Sequence, residues 1–166
     1  MAVSIGQGAT PPIRPTRLRR SSELRRGDSD DTQPYAVERE IEDLAAVIAA
    51  TGGRAHLFGA SSGGALALEA AAGGLPIDRV AVHELPYLLG DEMSAAWPTY
   101  TVELAAALDR DDRDEALRLF MRLAGSSEDD IAGAASSTFW PPLRALAPTL
   151  RYDAACLGHG APPAAR

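Results

Sequence analysis

The chain has no lysine: all 16 of its basic residues are arginine, set against 23 acids for a formal net charge of -7. An acidic surface repels polyanions, which argues against a nucleic-acid partner. It also lacks the Lys-Ser/Thr that would have to follow Gly63-Gly64 in a phosphate-binding loop. Cys156 is the sole cysteine, so no internal disulfide is available and a reducing, cytoplasmic setting is expected. No apolar run approaches the ~20 residues of a membrane span, and the N-terminus has no apolar stretch of the secretory kind, so no membrane partner is expected. Metal signatures are missing too. Asp109, Asp111, Asp112 and Asp114 lack the turn glycine and closing glutamate of a calcium loop, and read as helix-capping residues. Cys156 and His159 have no second pair of ligands for zinc. No metal and no cofactor is implied. Histidine is scarce as well, with only His56, His83 and His159 to serve any acid-base chemistry.

What is present suffices for one packed domain: 166 residues, 46% of them apolar. Residues 1–26 carry Pro11, Pro12 and Pro15 among many arginines, with no hydrophobic period, and read as disordered. From Ala36 the pattern changes. Val37, Ile41, Leu44 and Ile48 recur at helical spacing, and Thr51-Gly52-Gly53 stops that helix. Residues 54–58 form a short strand, 62–72 an alanine-rich helix ended by Gly73-Gly74, and 79–84 a second strand, read as buried and closed by Pro86. Helix, strand, helix, strand is a parallel α/β unit, and its right-handed crossover puts both strand ends on one rim of the sheet. Ser61 and Glu84 share that rim, where α/β proteins bind ligands.

Between the first strand and the second helix lies Gly59-Ala60-Ser61-Ser62-Gly63, a Gly-x-Ser-x-Gly in strand-turn-helix context. A nucleophilic serine needs its Oγ pushed clear of the backbone, which demands a sharp turn with Ser61 strained at its tip and glycines where Cβ atoms would collide. The helix behind Ser61 then aims first-turn N–H groups, that of Ser62 foremost, at a developing oxyanion.

After Tyr87 no strand pattern returns. Residues 101–108, 116–123 and 128–135 read as short helices, with Asp111 or Asp112 and Ser126 or Ser127 as N-caps and a further helix starting near Pro141. Trp97, Tyr100, Phe120, Met121, Phe139 and Trp140 gather here, as core or as pocket lining. Residues 158–166 are Pro/Ala-rich and read as a disordered tail.

Together, residues 27–157 resemble the α/β-hydrolases, in particular compact bacterial members. Arg26-Gly27-Asp28-Ser29 stands where an Arg-Gly-x-Gly-x-Ser-like turn would be, the segment 59–63 is similar to the Gly-His-Ser-x-Gly elbow, and His83-Glu84-Leu85-Pro86-Tyr87 looks like the Tyr-Glu-Pro-Pro segment after the sixth strand. The resemblance implies a partial α/β-hydrolase fold with its core at about 27–90 and cap helices at about 91–157. It implies a serine hydrolase acting on a small ester or related acyl compound, with Ser61 as nucleophile, Ser62 in the oxyanion hole and Glu84 as the candidate acid.

Departures temper that expectation. Ala60 stands where the family often has His, and the segments that carry the family's early strands, oxyanion loop and catalytic histidine have no counterpart here, as in a truncated or frame-altered relative. His56 lies within a strand, His159 in the tail, and alternation sends His83 and Glu84 to opposite sides of theirs. Two readings stay open: an impaired hydrolase, or a non-catalytic remnant or binding module of the same fold. The unpaired edges of a partial sheet also favour homo-oligomers.

Overall fold

The computed structural model describes residues 2–7, 19–21, 35–87 and 91–162. Two units divide the chain, one of residues 1–87 with 155–166 and the other of residues 88–154.

The first unit is a sheet with helices against it. Its strands are β1 (Ala2–Gln7), β2 (Arg19–Ser21), β3 (Ala55–Ala60) and β4 (Ile77–His83), in the order β2-β1-β3-β4. β3 and β4 run parallel, with Leu57 opposite Val80 and Ala60 opposite His83, whereas β1 is antiparallel to both β2 and β3. The sequence predicts no strand before residue 54, and β1 and β2 depart from the disorder expected of residues 1–26. Pairing supplies what local pattern does not: β1 satisfies its backbone along the whole of β3, from Ala2 opposite Ala60 to Gln7 opposite Ala55. The rest of residues 1–26, and the turn sought at 26–29, lie outside the described residues.

Helix α1 (Val37–Ala50) buries Leu44 and Ile48, and its period continues through Val37 and Ile41 onto the same core. It has no side-chain cap at Ala36, but Glu38 and Glu40 sit in its first turn, where the helix dipole favours negative charge. Gly53 closes it, its N–H donating to the Ile48 carbonyl at 2.9 Å. Helix α2 (Ser62–Ala72) presents Leu66, Ala67 and Ala70 to the same cluster, which Ala55 and Leu57 enter from β3. Small side chains on α2 let helix and sheet approach closely. Each buried Leu or Ile here contributes about 1.5–3 kcal/mol relative to exposure. Cys156 completes the cluster, its Sγ 3.3 Å from the Tyr35 hydroxyl.

Alternation along β3 buries Ala55, Leu57 and Gly59 and leaves Phe58 45% exposed. β4 is largely exposed rather than buried, a correction to the sequence reading. It ends the order of strands among the described residues, and of its apolar side chains Ile77 and Val80 reach the core while Val82 stays 40% exposed. Arg54 and Asp78 pair across the start of β3 and β4, and the guanidinium holds the Asp78 carboxyl below its ordinary value.

The second unit is helical: α3 (Asp91–Asp109), α4 (Arg113–Leu123), α5 (Glu128–Ala135), α6 (Trp140–Leu146), a 3-10 turn at Ala147–Thr149, and α7 (Leu150–Leu157), whose last turn from Ala155 belongs to the first unit. α3 is much longer than the expected 101–108. It carries Pro98 in its interior, which normally weakens a helix by removing one backbone donor. The buried stripe Trp97, Tyr100, Leu104 and Ala107 keeps helical spacing straight through that position, and tertiary packing outweighs the lost bond. Caps fall where the sequence allows them. Asp112 accepts from the Glu115 N–H at 3.1 Å, and Ser127 with Asp130 forms a capping box.

Candidate active site

β3 ends at Ala60 and α2 begins at Ser62, so a single residue, Ser61, reverses the chain. Its backbone stands at φ 54° and ψ -131°, a conformation L-residues avoid and one that costs about 1–3 kcal/mol. Two glycines make the reversal feasible. A Cβ at Gly59 would overlap the Gly63 carbonyl and lie 2.6 Å from the Gly64 Cα, and one at Gly64 would lie 2.6 Å from the Leu85 Cδ2. The chain is pinned on both sides of the turn, the Ser61 N–H donating to the His83 carbonyl at 2.9 Å and the Gly64 N–H to the Ser61 carbonyl at 2.9 Å.

Ser61 is exposed, while Ser62, the first residue of α2, is buried. A hydroxyl at such a turn meets a substrate before its neighbours do, and the first-turn N–H groups of α2 lie directly behind it.

The parallel register brings the end of β4 to the same rim: Ala60 pairs with His83, and Glu84 follows immediately. Glu84 also has a left-handed backbone, φ 50°. That twist corrects the expectation that His83 and Glu84 diverge. Alternation holds only while the chain stays extended, and at Glu84 it does not, so the Glu84 Oε2 lies 3.8 Å from the His83 Nδ1. Both side chains face solvent, 62% and 82% exposed. Nothing in the residue types marks position 84 as left-handed, and sequence reasoning missed the pair for that reason.

The remaining histidines behave differently. His56 is half-buried within β3, its Nδ1 enclosed with no hydrogen-bond partner among the described residues. His159 is exposed in the turn after α7. Among the described residues the Ser61 Oγ makes no hydrogen bond, to histidine or to anything else. Burial raises the Tyr87 phenol above its ordinary pKa, with the charges of Glu69 and Cys156 adding to the effect.

The aspartates at 109–114 have structural partners: Asp112 caps α4, Asp109 pairs with Arg151 and Asp111 with Arg113, and Asp114 binds the Trp140 Nε1 at 2.6 Å and the Arg144 Nε at 2.9 Å. Among the described residues no group of three or more His, Cys, Asp or Glu side chains could hold a metal ion, and no helix is long and apolar enough to cross a membrane.

Known proteins supply the context for this geometry. The alpha/beta hydrolase family matches the chain over residues 5–165. A crystal structure of an alpha/beta hydrolase from Sphaerobacter thermophilus DSM 20745 is similar to it at 45% sequence identity and a TM-score of 0.76. That similarity covers 90% of the present chain and 58% of the solved one. No curated protein matches. A family match over almost the whole length and a shared fold at this identity lead to one conclusion: the chain belongs to the α/β-hydrolase family.

Proposed function

We propose that this protein is a serine hydrolase that cleaves a small ester or related acyl substrate, with Ser61 as nucleophile. The observation that carries the reading is the left-handed Ser61 at the turn between β3 and α2, a close turn that the missing Cβ of Gly59 permits. Strain of that kind persists only where the surrounding structure over-determines it, and it presents a hydroxyl beside the N-terminus of a helix. The Ser62 N–H, first in α2, would face the oxyanion of the tetrahedral intermediate.

A second reading has its own support. The Ser61 Oγ has no hydrogen-bond partner among the described residues, as in an impaired enzyme or a non-catalytic binder of the same fold. Labelling with a fluorophosphonate probe, alongside hydrolysis of p-nitrophenyl acetate, separates the two. Covalent labelling abolished by Ser61→Ala is the expected result, and absence of labelling after hours with excess probe favours the binder.

Cys156, a buried thiol with no second cysteine in the chain to pair with, supports a reducing compartment, in keeping with the cytoplasm. The exposed β4 supports self-association through its edge. A monomer at every concentration in analytical ultracentrifugation would count against that association, and oxidation of Cys156 in protein isolated under thiol-blocking conditions against the compartment.

A further inference from the structure

β4 is the last strand of the sheet among the described residues, and five of its seven residues are exposed. We propose that two copies of this chain join their sheets edge to edge, β4 running antiparallel to β4 about a two-fold axis at Val80. This pairing rests on the self-association proposed for the β4 edge and specifies which residues meet.

One hydrogen bond fixes the direction of the backbone groups along the strand. The Ser61 N–H donates to the His83 carbonyl at 2.9 Å, so the polar backbone of His83 faces β3. Successive residues of a strand turn these groups to opposite sides. Ala81 and Arg79 therefore face β3 with His83, while Val82 and Val80 face outward, and Asp78 follows them in the alternation. Ile77 and Arg79 meet consecutive residues of β3, so the start of β4 is irregular, and the Arg54–Asp78 ion pair stands there too. Irregularity and charge shield an edge from unwanted pairing. Val80, Ala81 and Val82 have no such shield: none is charged, none is proline, and Val82 is 40% exposed.

Symmetry and chemistry together select the register. A two-fold axis normal to the sheet must pass through a residue, because residues directly opposite one another share a face. For outward groups to meet outward groups, that residue is Asp78, Val80 or Val82. An axis at Asp78 sets Asp78 against its own copy, like charge to like, and Val80 against Pro76, which has no N–H. An axis at Val82 sets Val80 against Glu84, whose left-handed backbone, φ 50°, has left the extended course. The axis at Val80 avoids both conflicts. Val80 then meets Val80 of the second copy, Asp78 meets Val82, and Arg79 meets Ala81, with no like charges directly opposite. Antiparallel pairing also sends the two Ser61 turns to opposite ends of the joined strands.

The test combines cysteine cross-linking with sedimentation, both on the full chain. Arg79→Cys, Ala81→Cys and Val82→Cys are oxidised with copper phenanthroline, each alone and the first two mixed in equal amounts, with the unaltered chain as control for the buried Cys156. All three positions are exposed, so the variants are expected to fold, and circular dichroism checks that they do. Disulfide-linked dimers are expected mainly in the mixture, because position 79 lies opposite 81 and neither lies opposite itself. Ala81→Cys or Val82→Cys linking to its own copy overturns the register. In analytical ultracentrifugation over roughly 1 µM to 1 mM, a span suited to weak association, the unaltered chain is expected to dimerise. Ala81→Arg sets a like charge against Arg79 and Ala81→Glu an opposite one, twice in each dimer, so the Arg variant should dissociate roughly 2–30-fold more readily. Equal weakening by both also overturns the register, while self-association stands. An unaltered chain that stays monomeric at every concentration overturns the register and the association together.

Discussion

The two units of this chain obey local rules to different degrees. In the helical unit, α4 opens on an Asp112 cap, α5 on a Ser127–Asp130 capping box, and Arg122 bridges Glu115 and Glu128 at 3.0 and 2.7 Å. In the sheet unit, α1 and α2 begin with no side-chain cap hydrogen bond, and two non-glycine residues, Ser61 and Glu84, hold left-handed backbones. Consistency between local preference and fold marks segments selected for structure, and violations gather where a site is built. Of the three non-glycine residues with left-handed backbones among the described residues, two, Ser61 and Glu84, fall on one rim of one sheet. Asp111 in the helical unit is the exception, a left-handed residue in the turn between α3 and α4 with Arg113 as its partner.

Substitution at the turn should break the comparison most severely. Gly59→Ala places a methyl group against the backbone of residues 63 and 64, and a loss of about 3 kcal/mol or more is expected, together with loss of any Ser61 labelling. Chemical denaturation read beside labelling checks both. Core truncation comes next: Leu44→Ala in the sheet unit and Leu104→Ala in the helical unit each remove a side chain that is 2% exposed, and each should cost about 2–5 kcal/mol. Amide hydrogen exchange locates the loss. Protection should fall chiefly in the unit mutated, and equal losses throughout would show that the two open as one.

Removing a cap sharpens the contrast at smaller scale. Asp112→Ala should destabilise by about 1 kcal/mol in urea titration, since it deprives the Glu115 N–H of its acceptor. The smallest effect is acid sensitivity. The Asp130 carboxyl is held below its ordinary value by hydrogen bonds from the Ser127 side chain and backbone, so its folded pKa is depressed. Its contribution is present above the unfolded carboxylate value, near 4, and is lost as pH falls through the folded one. Ser127→Ala should flatten that part of the stability profile below pH 4, and an unchanged acid limb would remove the capping carboxylate from the explanation.

Much of the sheet unit is legible in the sequence. Gly52-Gly53 and Gly73-Gly74 punctuate α1 and α2, the 3.6 period fixes the face of α1, and Gly59 and Gly63 flank a serine at a strand-to-helix boundary. The parallel pairing of β3 and β4 follows from the length of the helix between them. What escapes is set by partners distant in sequence. β1 has no signature of its own and exists through β3, and the exposure of β4 depends on which strands flank it. In the helical unit Pro98 obscures a stripe that Trp97, Tyr100, Leu104 and Ala107 carry through it, whereas the span of α5 can be read directly and its cap narrowed to Ser126 or Ser127, of which the structure uses Ser127. At the candidate site the serine is visible from its glycines. The meeting of His83 with Glu84 is not, because it depends on a backbone angle that no residue type announces.

The left-handed backbone of Ser61 sets stability against the chemistry proposed for it at a single position. Glycine adopts such angles without the Cβ penalty, so Ser61→Gly would relax the turn while deleting the hydroxyl. A population of random variants passed through repeated heat challenge, with no demand on turnover, should therefore accumulate glycine at 61 and at 84. The hydrolysis proposed for Ser61 would decline as melting temperature rises, the form that a trade between robustness and reactivity takes when both depend on the same backbone angle.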